Sequence, residues 1–210
     1  MLSVYNYMAS GVLLTGIVAL LFAGSGYAAQ VMATPLRWLI VLSPLAIVFA
    51  MSFGAQRMRT GTLQLLFWAF AGLMGLSMST LFLVYTGTSI AQTFFATSAA
   101  YLGLSLYGYT TKRDLSGFGT FLIMGVVGIL VAMLINMFLQ SSAMALAISA
   151  IGVLLFAGLT AYDTQKIKSM YHYVAGTDFM GKSVVMGALT LYLDFINMFT
   201  FLLQFLGDRR

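Results

Sequence analysis

Apolar residues in this chain come in runs of about 20, broken by short clusters of charge, Gly, Ser and Thr. The runs lack both the period-two alternation of half-buried strands and the charged faces of soluble helices. Seven can be marked, at 4–27, 38–56, 63–85, 90–109, 118–139, 143–167 and 184–206. A membrane-crossing helix needs about 20 mainly apolar residues. The pattern therefore predicts an all-α integral membrane protein, a bundle of seven transmembrane helices forming one domain over 1–210. The connections at 86–89 and 140–142 are short enough to make the third and fourth segments, and the fifth and sixth, antiparallel neighbours. The first run ends in Gly24-Ser25-Gly26-Tyr27-Ala28-Ala29, which could serve as a signal-peptide cleavage site. Residues 1–9 carry no Lys or Arg, however, and a signal peptide needs a basic start. The run is read as a helix.

Composition agrees with the pattern and narrows the function classes. The chain is 61% hydrophobic and 7% charged, with a mean hydropathy of +0.98, whereas soluble chains carry about 25% charged residues. A cytosolic enzyme, a nucleic-acid binder and a disordered tail are excluded. The net charge of +5 reads as a topology signal rather than as a sign of a polyanionic partner. There is no Cys for a thiolate site and one His, His172, so no cofactor or multi-His metal centre is expected. With the N-terminus cytoplasmic, the inner loops hold Arg57, Arg59, Lys112, Arg113, Lys166, Lys168 and Lys182, seven of the ten basic residues, and the outer segments hold Arg37, Arg209 and Arg210. The positive-inside rule then places the N-terminus inside and the C-terminus outside a plasma (inner) membrane. Trp38 and Tyr85 fit interfacial anchors, and the pairs Ala71/Gly75 and Ala96/Ala100 fit close helix packing.

A charge in the hydrocarbon core costs about 2.5–3.5 kcal/mol even on lenient insertion scales, so each one needs a partner, a cavity or a task. Asp114 and Asp178 fall in basic inner loops and Asp208 in the tail, leaving Asp163 and Asp194. Asp194 sits on a stripe of the last segment with Gly187, Thr190, Asn197, Phe201 and Gln204, spaced three or four apart. Such a stripe on an apolar helix faces the bundle interior, which predicts a central last helix. Asp163 closes a similar stripe on the sixth segment with Ser149, Gly152, Phe156 and Thr160. It is drawn into the bundle if that helix continues past Lys166 and Lys168. Two carboxylates that meet in a low-dielectric site do not both ionise easily and can share one proton, which suits a proton sensor, a proton relay or a proton-for-cation exchange site. The bland alternative pairs Asp163 with Lys166 one turn away and Asp194 with Thr190 or Asn197. Arg57 and Arg59 are topology determinants at the inner end of the second segment, or one of them reaches the acidic pair.

The segments carrying these residues are Gly158-Leu159-Thr160-Ala161-Tyr162-Asp163-Thr164-Gln165-Lys166-Ile167-Lys168 and Gly187-Ala188-Leu189-Thr190-Leu191-Tyr192-Leu193-Asp194-Phe195-Ile196-Asn197. Together with Ser105-Leu106-Tyr107-Gly108-Tyr109-Thr110-Thr111-Lys112-Arg113-Asp114-Leu115-Ser116, they resemble the Bax inhibitor-1 (TMBIM) family, in particular its proteobacterial inner-membrane members. The resemblance covers most of the chain after Arg57 and is loose over the first helix. It implies a seven-helix bundle wrapped around the last helix. It also implies a pH-sensitive pair formed by Asp163 and Asp194, with a basic latch from the second helix, for which Arg57 matches better than Arg59. Relatives are described as calcium leak channels, and bacterial ones also bind and restrain a membrane-anchored quality-control protease. Family members usually carry a polar tail before the first helix, whereas here Met1 to Ser3 precede the apolar run.

Three functions compete on these residues. The first is a pH-sensitive calcium (cation) leak channel, with Asp163 and Asp194 as sensor and transient calcium ligands, Thr160, Tyr162, Thr190 and Asn197 in support, and Arg57 as latch. Its partners are the lipid bilayer, calcium and protons. The second is a non-enzymatic modulator that binds a membrane protease or another channel. The third, an intramembrane aspartyl protease, matches at Tyr162-Asp163 but lacks a Gly-x-Gly-Asp, having Leu191-Tyr192-Leu193-Asp194 instead, and has no Pro-Ala-Leu segment. The expectation is therefore a non-enzyme.

Overall fold

Lipid offers no hydrogen bonds, so a spanning segment satisfies its backbone internally, as a helix does. The computed structural model describes all 210 residues and follows that rule. Eight helices run in order: α1 (Leu2–Gly24), α2 (Tyr27–Met32), α3 (Leu36–Gly54), α4 (Thr60–Val84), α5 (Gly87–Thr110), α6 (Ser116–Leu139), α7 (Ser142–Val174) and α8 (Phe179–Leu206). Six of them, all but α2 and α5, are long and apolar enough to cross a membrane. The expected seventh span is α5. It has the length, 24 residues, but Thr88, Ser89, Gln92, Thr93, Thr97, Ser98 and Ser105 lower its hydropathy.

Three boundaries depart from the pattern of apolar runs. Gly26 takes a left-handed conformation, φ 76°, that ends α1 and starts the six-residue α2, which is too short to appear as an apolar run. α7 continues past residue 167 to Val174, and α8 begins at Phe179 rather than at 184. Hydropathy marks where lipid ends, whereas helix propensity continues through Lys168 to His172 and stops at the turn where Gly176 has φ 79°.

The helices form two compact units, and α8 contributes to both. The first unit comprises α1–α4 and the first half of α8, with 1–87, 171–192 and 209–210. Here Gly75 lets α1 come close, because a Cβ at that position would lie 2.7 Å from the Thr15 carbonyl oxygen. Thr15 Oγ1 donates to the Ala71 carbonyl at 2.8 Å and lies 2.6 Å from the Tyr192 hydroxyl, tying α1, α4 and α8 together. Tyr192 is fully buried, its ring met edge-on by Phe67 and Phe70. Pro44 lies inside α3 and leaves the Ile40 carbonyl without its helical donor; the Ser43 hydroxyl fills the gap at 3.2 Å. Tyr85 is buried and paired with Arg209 rather than serving as an interfacial anchor, because the last residues fold back and Arg210 N–H donates to the Val84 carbonyl.

The second unit comprises α5, α6, α7 up to Met170, and α8 from Leu193, with 88–170 and 193–208. Its closest helix approach is at Gly108, where a Cβ would lie 2.8 Å from the Ala161 carbonyl carbon. The Ala96/Ala100 pair, by contrast, falls on the exposed face of α5. At the turn into α6, Asp114 Oδ1 accepts the Ser116 N–H at 2.9 Å, and the Ser116 hydroxyl first and this N–H second hold its carboxyl below the usual range. α8 is the most buried of the six long apolar helices.

Two measurements check these contacts. Gly108→Ala forces the Ala161 backbone away and is expected to destabilise by about 1–3 kcal/mol, lowering the melting temperature in detergent, whereas Gly103→Ala, which meets nothing within 4 Å, does not lower it. Asp114 binds its proton less readily folded than unfolded. Its stabilising effect is therefore present above the ordinary carboxylate range and lost as pH falls through the lowered value. The melting-temperature difference between wild type and Asp114→Ala is expected to shrink over that acidic interval.

Candidate functional site

The site forms where α7 packs antiparallel against the second half of α8. Gly152 admits the Phe201 ring, since a Cβ there would lie 2.6 Å from Phe201 Cγ, and Phe156 stacks on the same ring at 5.9 Å. Ser149 Oγ, at the other end of the contact, donates its hydrogen to the Ala145 carbonyl of its own helix at 2.8 Å and lies 3.3 Å from Gln204 Oε1. Stepping along α7 from Ser149 to Asp163 means stepping back along α8 from Gln204 to Asp194, as an antiparallel pair requires. The predicted stripe of Ser149, Gly152, Phe156, Thr160 and Asp163 is buried throughout. On α8, Gly187, Asp194 and Phe201 are buried, Thr190 and Asn197 half-buried, and Gln204 exposed.

Asp163 and Asp194 meet. Their carboxyl groups lie within hydrogen-bonding reach of each other, at 9% and 4% exposure. Asp194 is the sixteenth of the 28 residues of α8, in the middle of the helix. Its Oδ2 is buried with no donor facing it. Buried polar atoms are nearly always paired, so an orphan of this kind is unusual.

The polar residues named in support of the pair serve their own helices instead. The Thr160 hydroxyl donates to the Phe156 carbonyl at 2.8 Å, Thr190 to Met186 at 3.1 Å, and Asn197 Nδ2 to Leu193 at 2.8 Å. Donation to the carbonyl four residues back is the cheapest way to bury such groups in an apolar helix. The Tyr162 ring packs over Gly119 of α6, with the Lys166 ammonium 5.8 Å from its centroid. Arg57 and Arg59 are both exposed in the connection between α3 and α4, and Arg57 N–H donates to the Gly54 carbonyl.

Other groups hold α7 in place around Asp163. Thr164, fully buried, meets the Ser105 hydroxyl of α5 at 3.1 Å. Gln165 clasps the α5–α6 connection: its Oε1 accepts the Leu115 N–H at 2.9 Å and its Nε2 donates to the Arg113 carbonyl at 2.8 Å. Lys168 donates to the Tyr109 carbonyl at 2.7 Å and lies over that ring. Nothing in the local sequence marks Thr164 and Gln165, because each is an ordinary polar residue at the end of an apolar run. Their importance comes from partners 59 and 50 residues away. The one available signal was the regular spacing of hydroxyl residues along α5.

A helical, multi-pass membrane protein with two buried carboxyls facing each other is the class that this fold and site define. The whole chain, residues 1–210, matches the family described as Inhibitor of apoptosis-promoting Bax1. An uncharacterised protein of Rickettsia prowazekii is 50% identical over 212 residues, covering 100% of this chain and 89% of that protein. The inner membrane protein YbhL of Escherichia coli K12 is 45% identical over 214 residues, covering 100% of this chain and 92% of YbhL. A Deinococcus radiodurans protein is 45% identical over 208 residues, covering 98% and 88%. The chain belongs to the Bax inhibitor-1 family.

Proposed function

We propose that this protein is a pH-sensitive calcium (cation) leak channel of a bacterial inner membrane, in which Asp163 and Asp194 are both proton sensor and ion-pathway ligands. The observation that carries the proposal is the meeting of two buried carboxyls, one of whose oxygens has no donor. A single proton between them supplies the missing hydrogen. Its departure leaves two like charges side by side in an apolar surrounding, which favours separation of the groups or entry of a cation. Calcium takes about six to eight oxygen ligands, more than two aspartates provide. A transient site on a conduction path therefore fits better than a storage site. In this reading α5 is the seventh crossing helix, α8 is the central one, as its burial favours, and the N-terminus is cytoplasmic, as the basic residues favour. No covalent chemistry is assigned to the pair.

Flux measurements in proteoliposomes test this directly. Purified wild-type protein should release trapped calcium at a pH-dependent rate. Asp163→Asn and Asp194→Asn should each flatten that dependence, because an amide does not titrate; unchanged flux and unchanged pH dependence in both variants would sink the idea. Arg57 carries the proposed latch. Arg57→Ala should raise flux severalfold at alkaline pH, where the pair offers the most charge to hold, and Arg59→Ala should leave it near wild type. Equal effects of the two substitutions would assign both arginines to lipid headgroups instead.

A further inference from the structure

α5 is inverted relative to a soluble helix. Phe95, Leu102 and Leu106 on its outward face are 72%, 67% and 63% exposed. Its buried face carries Ser89, Thr93, Thr97, Tyr101 and Ser105, all at 5% exposure or less, one hydroxyl every fourth residue. At 1.5 Å per residue the row extends about 24 Å, most of the roughly 30 Å hydrocarbon thickness. Burying hydroxyls from one end of a membrane helix to the other costs free energy that an apolar face would avoid. Individual hydrogen bonds employ members of the row one at a time, Thr97 to its own helix, Ser105 with Thr164 of α7 and Ser89 with the Asp208 N–H, and the feature they leave over is the unbroken four-residue spacing of the hydroxyls.

The row runs past the aspartate pair. Thr164, the residue after Asp163, meets Ser105 at 3.1 Å. Phe195, the residue after Asp194, packs edge-on against Tyr101 at 5.5 Å. The pair, with its unpartnered and buried Asp194 Oδ2, therefore lies beside the Tyr101–Ser105 end of the row. The opposite end is at the surface, where Ser89 Oγ accepts the N–H of Asp208, whose carboxylate is exposed. Between the two ends, Phe94 holds the Phe195 and Phe199 rings at 5.6 and 6.1 Å beside the row. Thr97 spends its single hydrogen on the Thr93 carbonyl at 2.8 Å, so its remaining hydroxyl capacity is lone pairs. Such an oxygen accepts from water or coordinates a cation; it does not donate to an anion.

We infer that the buried hydroxyl row of α5 is the wall of a cation path joining the Asp163–Asp194 pair to the Ser89–Asp208 surface, with the Phe195 and Phe199 rings as its apolar plug. The occupant is a hydrated cation, for which the row supplies neutral oxygens in steps of about 6 Å, four residues of helical rise. This wall rests on the leak-channel reading and adds the route and the ligand chemistry.

The chain has no cysteine, so single substitutions report without background. Thr93→Cys, Thr97→Cys and Ser105→Cys are compared with Leu102→Cys in proteoliposomes, using a cationic, membrane-impermeant methanethiosulfonate reagent at acidic and alkaline pH. Only a hydrated thiolate reacts. The expected result is modification at Thr93→Cys and Thr97→Cys at least about tenfold faster than at the outward-facing Leu102→Cys, in at least one pH condition. Rates no faster than Leu102→Cys at all three row positions, in protein that melts like wild type, would overturn the wall. Thr→Cys is nearly isosteric, and the three positions substitute for one another should one variant fail to fold. The two readings fail separately. Fast labelling in protein that leaks no calcium defeats the leak channel and keeps a hydrated wall, whereas calcium flux without labelling keeps the channel and removes this route.

Discussion

Inside a bilayer a polar group has no water to fall back on, and every donor and acceptor must be satisfied by the chain itself. The architecture is largely a record of how that requirement is met. Where Pro44 removes an N–H from α3, the Ser43 hydroxyl takes over the orphaned carbonyl. Thr160, Thr190 and Asn197 return their hydrogens to carbonyls of their own helices. Thr15 and Tyr192 satisfy each other across helices and in doing so fix α8 against α1 and α4. Against this background Asp194 Oδ2 stands apart, buried and without a donor.

The exception matters because of where it is placed. It lies on the most buried long helix, opposite a second carboxyl, and its surroundings are held by contacts that reach it through neighbouring residues: Thr164 through Ser105, and Gln165 and Lys168 through the α5–α6 connection and the end of α5. Glycines set the spacing. Gly108 and Gly152 bring α5 and α8 close enough to α7 for side chains to mesh, so the two aspartates meet because helix backbones or rings come within contact distance nearby. The two desolvated carboxyls and the row of buried hydroxyls beside them are the features on which the proposed leak-channel reading rests.

Much of this was legible from the order of residues. Apolar runs of about 20 residues predict spanning helices because lipid thickness and helix rise are fixed lengths. Asp163 and Asp194 identify themselves because a charge in such a run is expensive wherever it lies, and their periodic stripes point inward for the same reason. Family membership likewise follows from long motifs around those residues. These are local properties, read from a residue and its near neighbours in sequence.

Partnership was decided only by the tertiary structure. Nothing local distinguishes Tyr85, which looked like an interfacial ring and is buried against the returning C-terminus, from Trp38, which is exposed. Nor does local pattern show that Ala96 and Ala100 face outward while Gly108 carries the close approach to α7. Thr160 and Thr164 are the same residue type one turn apart; the first bonds its own helix, and the second bonds a helix 59 positions away. Hydropathy is a sum over single residues, whereas a hydrogen bond or a close backbone approach depends on two positions at once. The sequence by itself therefore settled which residues are costly to bury, and folding settled what each of them meets.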